Sequence, residues 1–384
     1  MRDLLRLMSG RDLVLSEERW RAVLDLADRT QATTTLTHVQ NAPAWFRDAV
    51  ADRARKTRER RGRLLRTYRE ATIALEHAGV EFVLLKGFTH EADAGWKQGM
   101  RVQNDIDLLC AASDLARAEA ALLTAGFVFH PGSELSDNHG RPLLKPHNWT
   151  WRGDYFDPEL PVCIELHHTI WSSTRDRIEI PGVNQFWDRR RPFELGGSTF
   201  QDADRLGIAA LHLLRHILRN NVRPAQAHEL AQMVALREGD DAFWLRWQQH
   251  PAELRALESI AMQFAVTWFR GRLPASPQEA WDDLSPQVHH WFEMHAFAPM
   301  ENLTSPNKDV LWLHLALLEN WRDRLAVARR RLLPSKLPGV GQATGAYSTH
   351  VFQRARYHAV ALARVAWGTL RPSVTRSTAS HTSD

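Results

Sequence analysis

Asn104-Asp-Ile-Asp-Leu-Leu109 decides how this 384-residue chain is read. The run Asp105-Ile-Asp-Leu-Leu-Cys110 is short, apolar apart from its two acids, and reads as a strand. Residues two apart along a strand point to the same face, so Asp105 and Asp107 project together. Two carboxylates held a few ångströms apart repel unless a cation sits between them. Mg²⁺ is the common solution, because it favours carboxylate oxygens and shares them with phosphates. A pair of such ions would hold both the attacking and the leaving oxygen of a phosphoryl transfer. Asp-x-Asp alone also describes a strand end facing water, so the surrounding sequence has to decide.

Outward from that run, the periodicity predicts a small mixed sheet flanked by helices. Val80-Glu-Phe-Val-Leu-Leu85 is a strand ended by Lys86-Gly87. A helix is expected over 113–125, with Ser113 as N-cap and Gly126 as its stop. Phe127–His130, His147–Arg152 and Val162–His168 read as further strands. In the last, Val162, Ile164 and Leu166 alternate with Glu165 and His167, which therefore share a face, while His168 points the other way. Helical spacing precedes this block over 14–31 and 43–77. It follows from about Asp202 onward, over 206–218, 225–236, 242–269, 286–297, 310–333 and 350–370. The fold class is α+β with a mainly helical C-terminal region. The expected division is 1–78 helical, 79–200 catalytic core, 201–371 a helical acceptor-side domain and 372–384 a disordered Ser/Thr-rich tail.

Composition bounds the function classes. No apolar run approaches the ~18 residues that cross a bilayer, and charges break the N-terminus before a signal core could form. A cytoplasmic protein without membrane contact is expected. Cys110 and Cys163 lie in strand-like runs and read as buried free thiols, too few for a structural zinc site. Net charge is +4, and only six of the 49 basic residues are lysine. That balance suits a phosphate-bearing ligand without requiring nucleic acid. Nucleic acid is disfavoured, because the basic residues are spread over most helices and form no track interleaved with aromatics.

Leu84-Leu-Lys-Gly87, Arg101 three residues before Asn104, Leu122 to Gly126-Phe127, and Ile164-Glu-Leu-His-His168 together resemble the nucleotidyltransferase-like family usually described as uncharacterised. That family belongs to the superfamily with the DNA polymerase β catalytic fold. Leu211-His-Leu-Leu-Arg-His216 and Leu230-Ala-Gln-Met-Val234 resemble its helical block. The similarity spans roughly residues 60–370, with the specific motifs confined to 84–168.

The resemblance implies that Asp105 and Asp107 bind metal, Mg²⁺ or Mn²⁺, with Glu165 as third carboxylate, ligand or general base. It also implies a donor nucleoside triphosphate at Lys86 and Gly87, where the wider superfamily has Gly-Ser. Arg101 is expected on phosphate or bracing an aspartate, and Asn104 and His167 beside the ligand. His212 and His216 have metal-compatible spacing but no third ligand, and are expected to pack or line the cleft. The implied activity is transfer of a nucleoside monophosphate to an acceptor hydroxyl of a small molecule or peptide, as in natural-product tailoring. A nucleotide-sugar glycosyltransferase and a non-catalytic, antitoxin-like nucleotide-binding partner are the alternatives. The sequence leaves oligomeric state open.

Overall fold

A computed structural model describes residues 1–97, 99–332 and 359. Its seven strands are β1 (Phe82–Leu84), β2 (Asp105–Cys110), β3 (Val128–Phe129), β4 (Leu143–Leu144), β5 (Cys163–His167), β6 (Arg191–Pro192) and β7 (Ser198–Thr199). They form one open mixed sheet in the order β3-β4-β5-β2-β1-β7-β6. β2 runs parallel to β5 and antiparallel to β1. Before the sheet come helices α1 (Arg2–Met8), α2 (Glu17–Arg29) and α3 (Ala44–His77). Within it lie α4 (Phe88–Asp93), α5 (Leu115–Thr124) and α6 (Ser173–Asp176). After it come α7 (Asp202–Leu218), α8 (Pro224–Ala235), α9 (Asp241–Trp247), α10 (Ala252–Phe269) and α11 (Ala275–Asp282). The series ends with α12 (Pro286–His295), α13 (Ala298–Glu301), α14 (Val310–Ala316) and α15 (Trp321–Leu332). The class is α+β, and no helix among the described residues is long and apolar enough to cross a membrane.

Strand alternation divides the buried side chains between the two faces. Ile106 and Leu108 of β2, with Ile164 and Leu166 of β5, pack against Leu64, Tyr68 and Leu75 of α3 and Leu122 of α5. Val83 and Leu109 point the other way, into a core shared with Leu206, Ala210 and Leu214 of α7. A third core joins α1, α2 and the start of α3 through Leu4, Leu7, Trp20 and Phe46. The sheet is therefore buried on both faces, and polar side chains on it cost free energy unless something compensates them.

Several expected elements differ in extent. The helix expected over 242–269 is two, because Pro251 disfavours helical backbone at His250. The one expected over 310–333 is likewise split into α14 and α15. The strand expected at His147–Arg152 is irregular chain; the neighbouring strand is β4, four residues earlier, and Pro146 has no N–H to extend the ladder. Two-residue β6 and β7 carry too little pattern to be foreseen. The helix expected over 350–370 (residue 359 apart) and the tail at 372–384 lie outside the described residues.

Candidate active site

The parallel register of β2 and β5 places Asp105 opposite Cys163, Asp107 opposite Glu165 and Leu109 opposite His167. Because Ile106 and Leu108 are committed to the α3 side, Asp105, Asp107, Glu165 and His167 all face the α7 side. Ligand atoms of Asp107, Glu165 and His167 lie within 4.8 Å of one another. The His167 Nε2–H donates to Asp107 Oδ1 at 3.0 Å, and Nε2 lies 3.6 Å from Glu165 Oε2. Asn138 Nδ2 donates to His167 Nδ1 at 3.1 Å, while Ser136 donates to Asn138 Oδ1, which together assign the ring proton to Nε2. Asp105 shares the face but is not part of the three-residue group. It starts β2 about 6.6 Å of strand rise before Asp107.

The Asp107 side chain is 1% exposed, whereas Glu165 is 25% exposed. Lys86, immediately after β1, brings its Nζ to 3.1 Å from Asp107 Oδ2. That oxygen has this ion pair but no hydrogen-bond partner of good geometry. Burial pushes the Asp107 carboxyl up, and the Lys86 charge with the His167 hydrogen bond more than reverses it, holding the acid well below its usual range. Burial pushes Lys86 down, and Asp107, Asp105 and Glu165 more than restore it. For Asp105, burial and then the Asp107 charge both act upward, so its carboxyl is raised. Burial lowers His167, and bonding to Asp107 and Glu165 raises it overall. A buried carboxylate oxygen with spare coordination capacity, beside a second carboxylate, offers oxygen donors that fit a divalent cation, while His167 with its proton on Nε2 braces Asp107.

Buried groups fix the strand ends. Arg60 of α3 is 3% exposed, and it donates to the backbone carbonyls of Gln103 (2.9 Å), Asn104 (3.1 Å), Pro161 (3.3 Å) and Leu160. One guanidinium therefore ties together the chain entering β2 and the chain entering β5. Burial pushes it down to about 10, so it stays charged at neutral pH. Arg101 does form a bidentate pair, but with Glu229 of α8 rather than with Asp105 or Asp107. His90 of α4 bonds the same carboxylate at 3.0 Å. Sequence spacing could not reveal this, since Glu229 lies over a hundred residues away. Gly87 adopts φ +84°, and the space a Cβ would need is filled by the carboxamide of Gln103, itself donating to Asp105 O at 2.7 Å.

All eight residues expected at the site, Lys86, Gly87, Arg101, Asn104, Asp105, Asp107, Glu165 and His167, line one cavity of about 460 Å³. The opposite wall, which sequence reasoning assigned only in part, comes from α7. Ile208, Leu211, His212, Arg215 and His216, with Arg219 just past the helix end, recur at three- and four-residue steps and all line the cavity. His212 and His216 are 3.1 Å apart through their Nε2 atoms. Burial holds His212 well below its usual value and takes His216 to about 3, so both are neutral. A second cavity of about 390 Å³, near Leu36, Phe46 and Val50, has no carboxylate in its lining.

A sequence model described as an uncharacterised nucleotidyltransferase matches residues 16–270. No curated protein matches the chain, and no solved structure does. The match covers well over half of the sequence and contains both site strands, Lys86 and the cavity wall of α7: the chain belongs to the uncharacterised nucleotidyltransferase family.

Proposed function

We propose that this protein is a metal-dependent nucleotidyltransferase that moves a nucleoside monophosphate from a nucleoside triphosphate to an acceptor hydroxyl of a small molecule or peptide. The observation that carries the proposal is the convergence of Asp107, Glu165 and His167 on the α7-facing side of the sheet, in a cavity of about 460 Å³. Family membership supports nucleotidyl transfer in general, and the acidic cluster supports the metal.

Asp107 and Glu165, with Asp105 completing the set, would hold Mg²⁺ or Mn²⁺, which would neutralise charge developing on the transferred phosphoryl group. The acceptor oxygen attacks the α-phosphorus, a new P–O bond forms, the bond to the bridging oxygen of the β-phosphate breaks, and pyrophosphate leaves. Glu165 is the group placed to take the acceptor proton, because it is the most exposed of the three clustered side chains. Asp107 is held ionised by Lys86 and His167, which suits a ligand and not a base. Arg60 holds both strand entries, and α7 closes the cavity facing them.

The test is incubation with ATP or UTP, Mg²⁺ and panels of hydroxyl-bearing small molecules and peptides, read by pyrophosphate release and product mass. The expected result is a gain of one nucleoside monophosphate, lost in Glu165→Gln and Asp107→Asn. A hexose gain from a nucleotide sugar would replace this reading, and pyrophosphate release undiminished in both variants would remove it.

A further inference from the structure

Nucleoside triphosphate brings a polyanion into a cavity whose sheet side is acidic; a cation held there would offset only part of that charge, and cationic side chains elsewhere in the cavity are the candidates to receive the rest. The Lys86-Gly87 turn is poorly suited to do so. Lys86 is already committed to Asp107 at 3.1 Å. The Gly87 face that lacks a side chain is not open space but is occupied by Gln103, which is pinned by its bond to the Asp105 carbonyl. α4, which follows, is six residues long and offers no helix N-terminus of useful strength.

The cations not spent on carboxylates stand across the cavity. Arg215 of α7 donates one bond, to the Ile170 carbonyl at 2.6 Å, and lies over the Trp171 ring at 4.8 Å. Arg223, in the segment between α7 and α8, makes one long contact of 3.4 Å to Gln31. Neither is ion-paired to a carboxylate among the described residues, and Arg175 beside them is not either. Arg219, by contrast, is tied up by Asp176 at 2.6 Å. Burial takes the Arg215 guanidinium down to about 10, which still leaves it charged at neutral pH. Packing of Arg215 on Trp171 fixes the plane of a guanidinium whose remaining N–H groups are free to bond, an arrangement suited to phosphate oxygens.

We propose that the donor's triphosphate is held by Arg215 and Arg223 on the α7 side of the cavity, opposite the carboxylates, and not in the turn after β1. This rests on the nucleoside-triphosphate reading above and adds where the donor lies. It also orients the donor: its phosphates span the gap from the arginine wall to the acidic strands, and the acceptor enters along the exposed edge at Glu165.

The experiment measures binding of inorganic tripolyphosphate and of ATP to the full chain, with metal chelated, for wild type, Arg223→Gln, Arg215→Lys and Arg215→Gln/Arg223→Gln. Tripolyphosphate protection of individual arginines against phenylglyoxal, located by mass spectrometry, is a parallel readout on unaltered protein. The proposal expects the double variant to bind at least tenfold more weakly, Arg215→Lys to retain part of the affinity, and Arg215 and Arg223 to be protected. Wild-type affinity in a folded double variant, protection confined to other arginines, or no binding of tripolyphosphate to wild type would each overturn it. If the arginine variants bind as wild type while nucleotidylated product still forms, only this inference fails. If no triphosphate binds and no product forms, the functional reading fails with it.

Discussion

Asp107 and Glu165 face each other across one register pair, yet they work under different constraints. Asp107 is buried against Lys86, so Asp107→Asn takes away the nearest counter-charge of that ammonium. It should cost roughly 2 kcal/mol of stability, since breaking a buried pair is expensive and Lys86 keeps some water contact. Chemical denaturation checks this, and Lys86→Met in the same chain should recover part of the loss. Glu165 is a quarter exposed, so Glu165→Gln should leave stability within about 0.5 kcal/mol while turnover falls on the order of 10²- to 10⁴-fold, the usual worth of a positioned proton acceptor. Much of this was legible in sequence. Asp105-x-Asp107 and Glu165-x-His167 are spaced two apart, which by itself puts each pair on one face of a strand. The partner of Lys86 and that of Arg101 were not legible, because both depend on how distant segments meet. Asp105 is on the correct face, but the tight group contains His167 in its place.

Elements carry the next level of control. Four backbone carbonyls at the starts of β2 and β5 share the single Arg60 guanidinium, so the spacing of the two acidic strands is set from α3. Arg60→Met should cost about 2–3 kcal/mol, the carbonyls losing bonds that burial keeps water from replacing. Amide hydrogen exchange should rise first around residues 103–107 and 161–165. Equal protection in the variant would show that the strands hold their register without it. α7 was readable as a helix from its apolar spacing, and its His212, Arg215, His216, Arg219 stripe was already present in the sequence. What the stripe faces could not be read, since the same pattern describes a solvated helix surface. Pro251 marked a helix break inside 242–269 that apolar periodicity alone ran through. β6 and β7 are two residues each, below the length at which alternation gives a signal.

At the scale of the molecule, buried histidines set the pH dependence of stability. His216 sits at about 3, and His228 and His314 at about 4, each lowered chiefly by burial. The unfolded chain takes up protons near pH 6.5 that these folded residues refuse, so stability falls as pH drops below that point. His250 goes the other way. Burial lowers it, but Glu258 and Asp204 raise it to about 9. Its contribution is full below pH 6.5 and is lost as pH climbs through about 9. The melting temperature should therefore peak near neutrality, and His250→Gln should flatten the alkaline side. A profile that stays flat from pH 5 to 9 would contradict this balance.

Nucleotidyl transfer as proposed here needs a divalent cation seated by the acidic face of β2 and β5. Titration of Mn²⁺ into wild-type and Asp107→Asn protein, with ATP present and free ion followed by electron paramagnetic resonance, tests that seat directly. Wild type should deplete the free-ion signal beyond what ATP alone does, and folded Asp107→Asn should not. Equal depletion by the two proteins would contradict it.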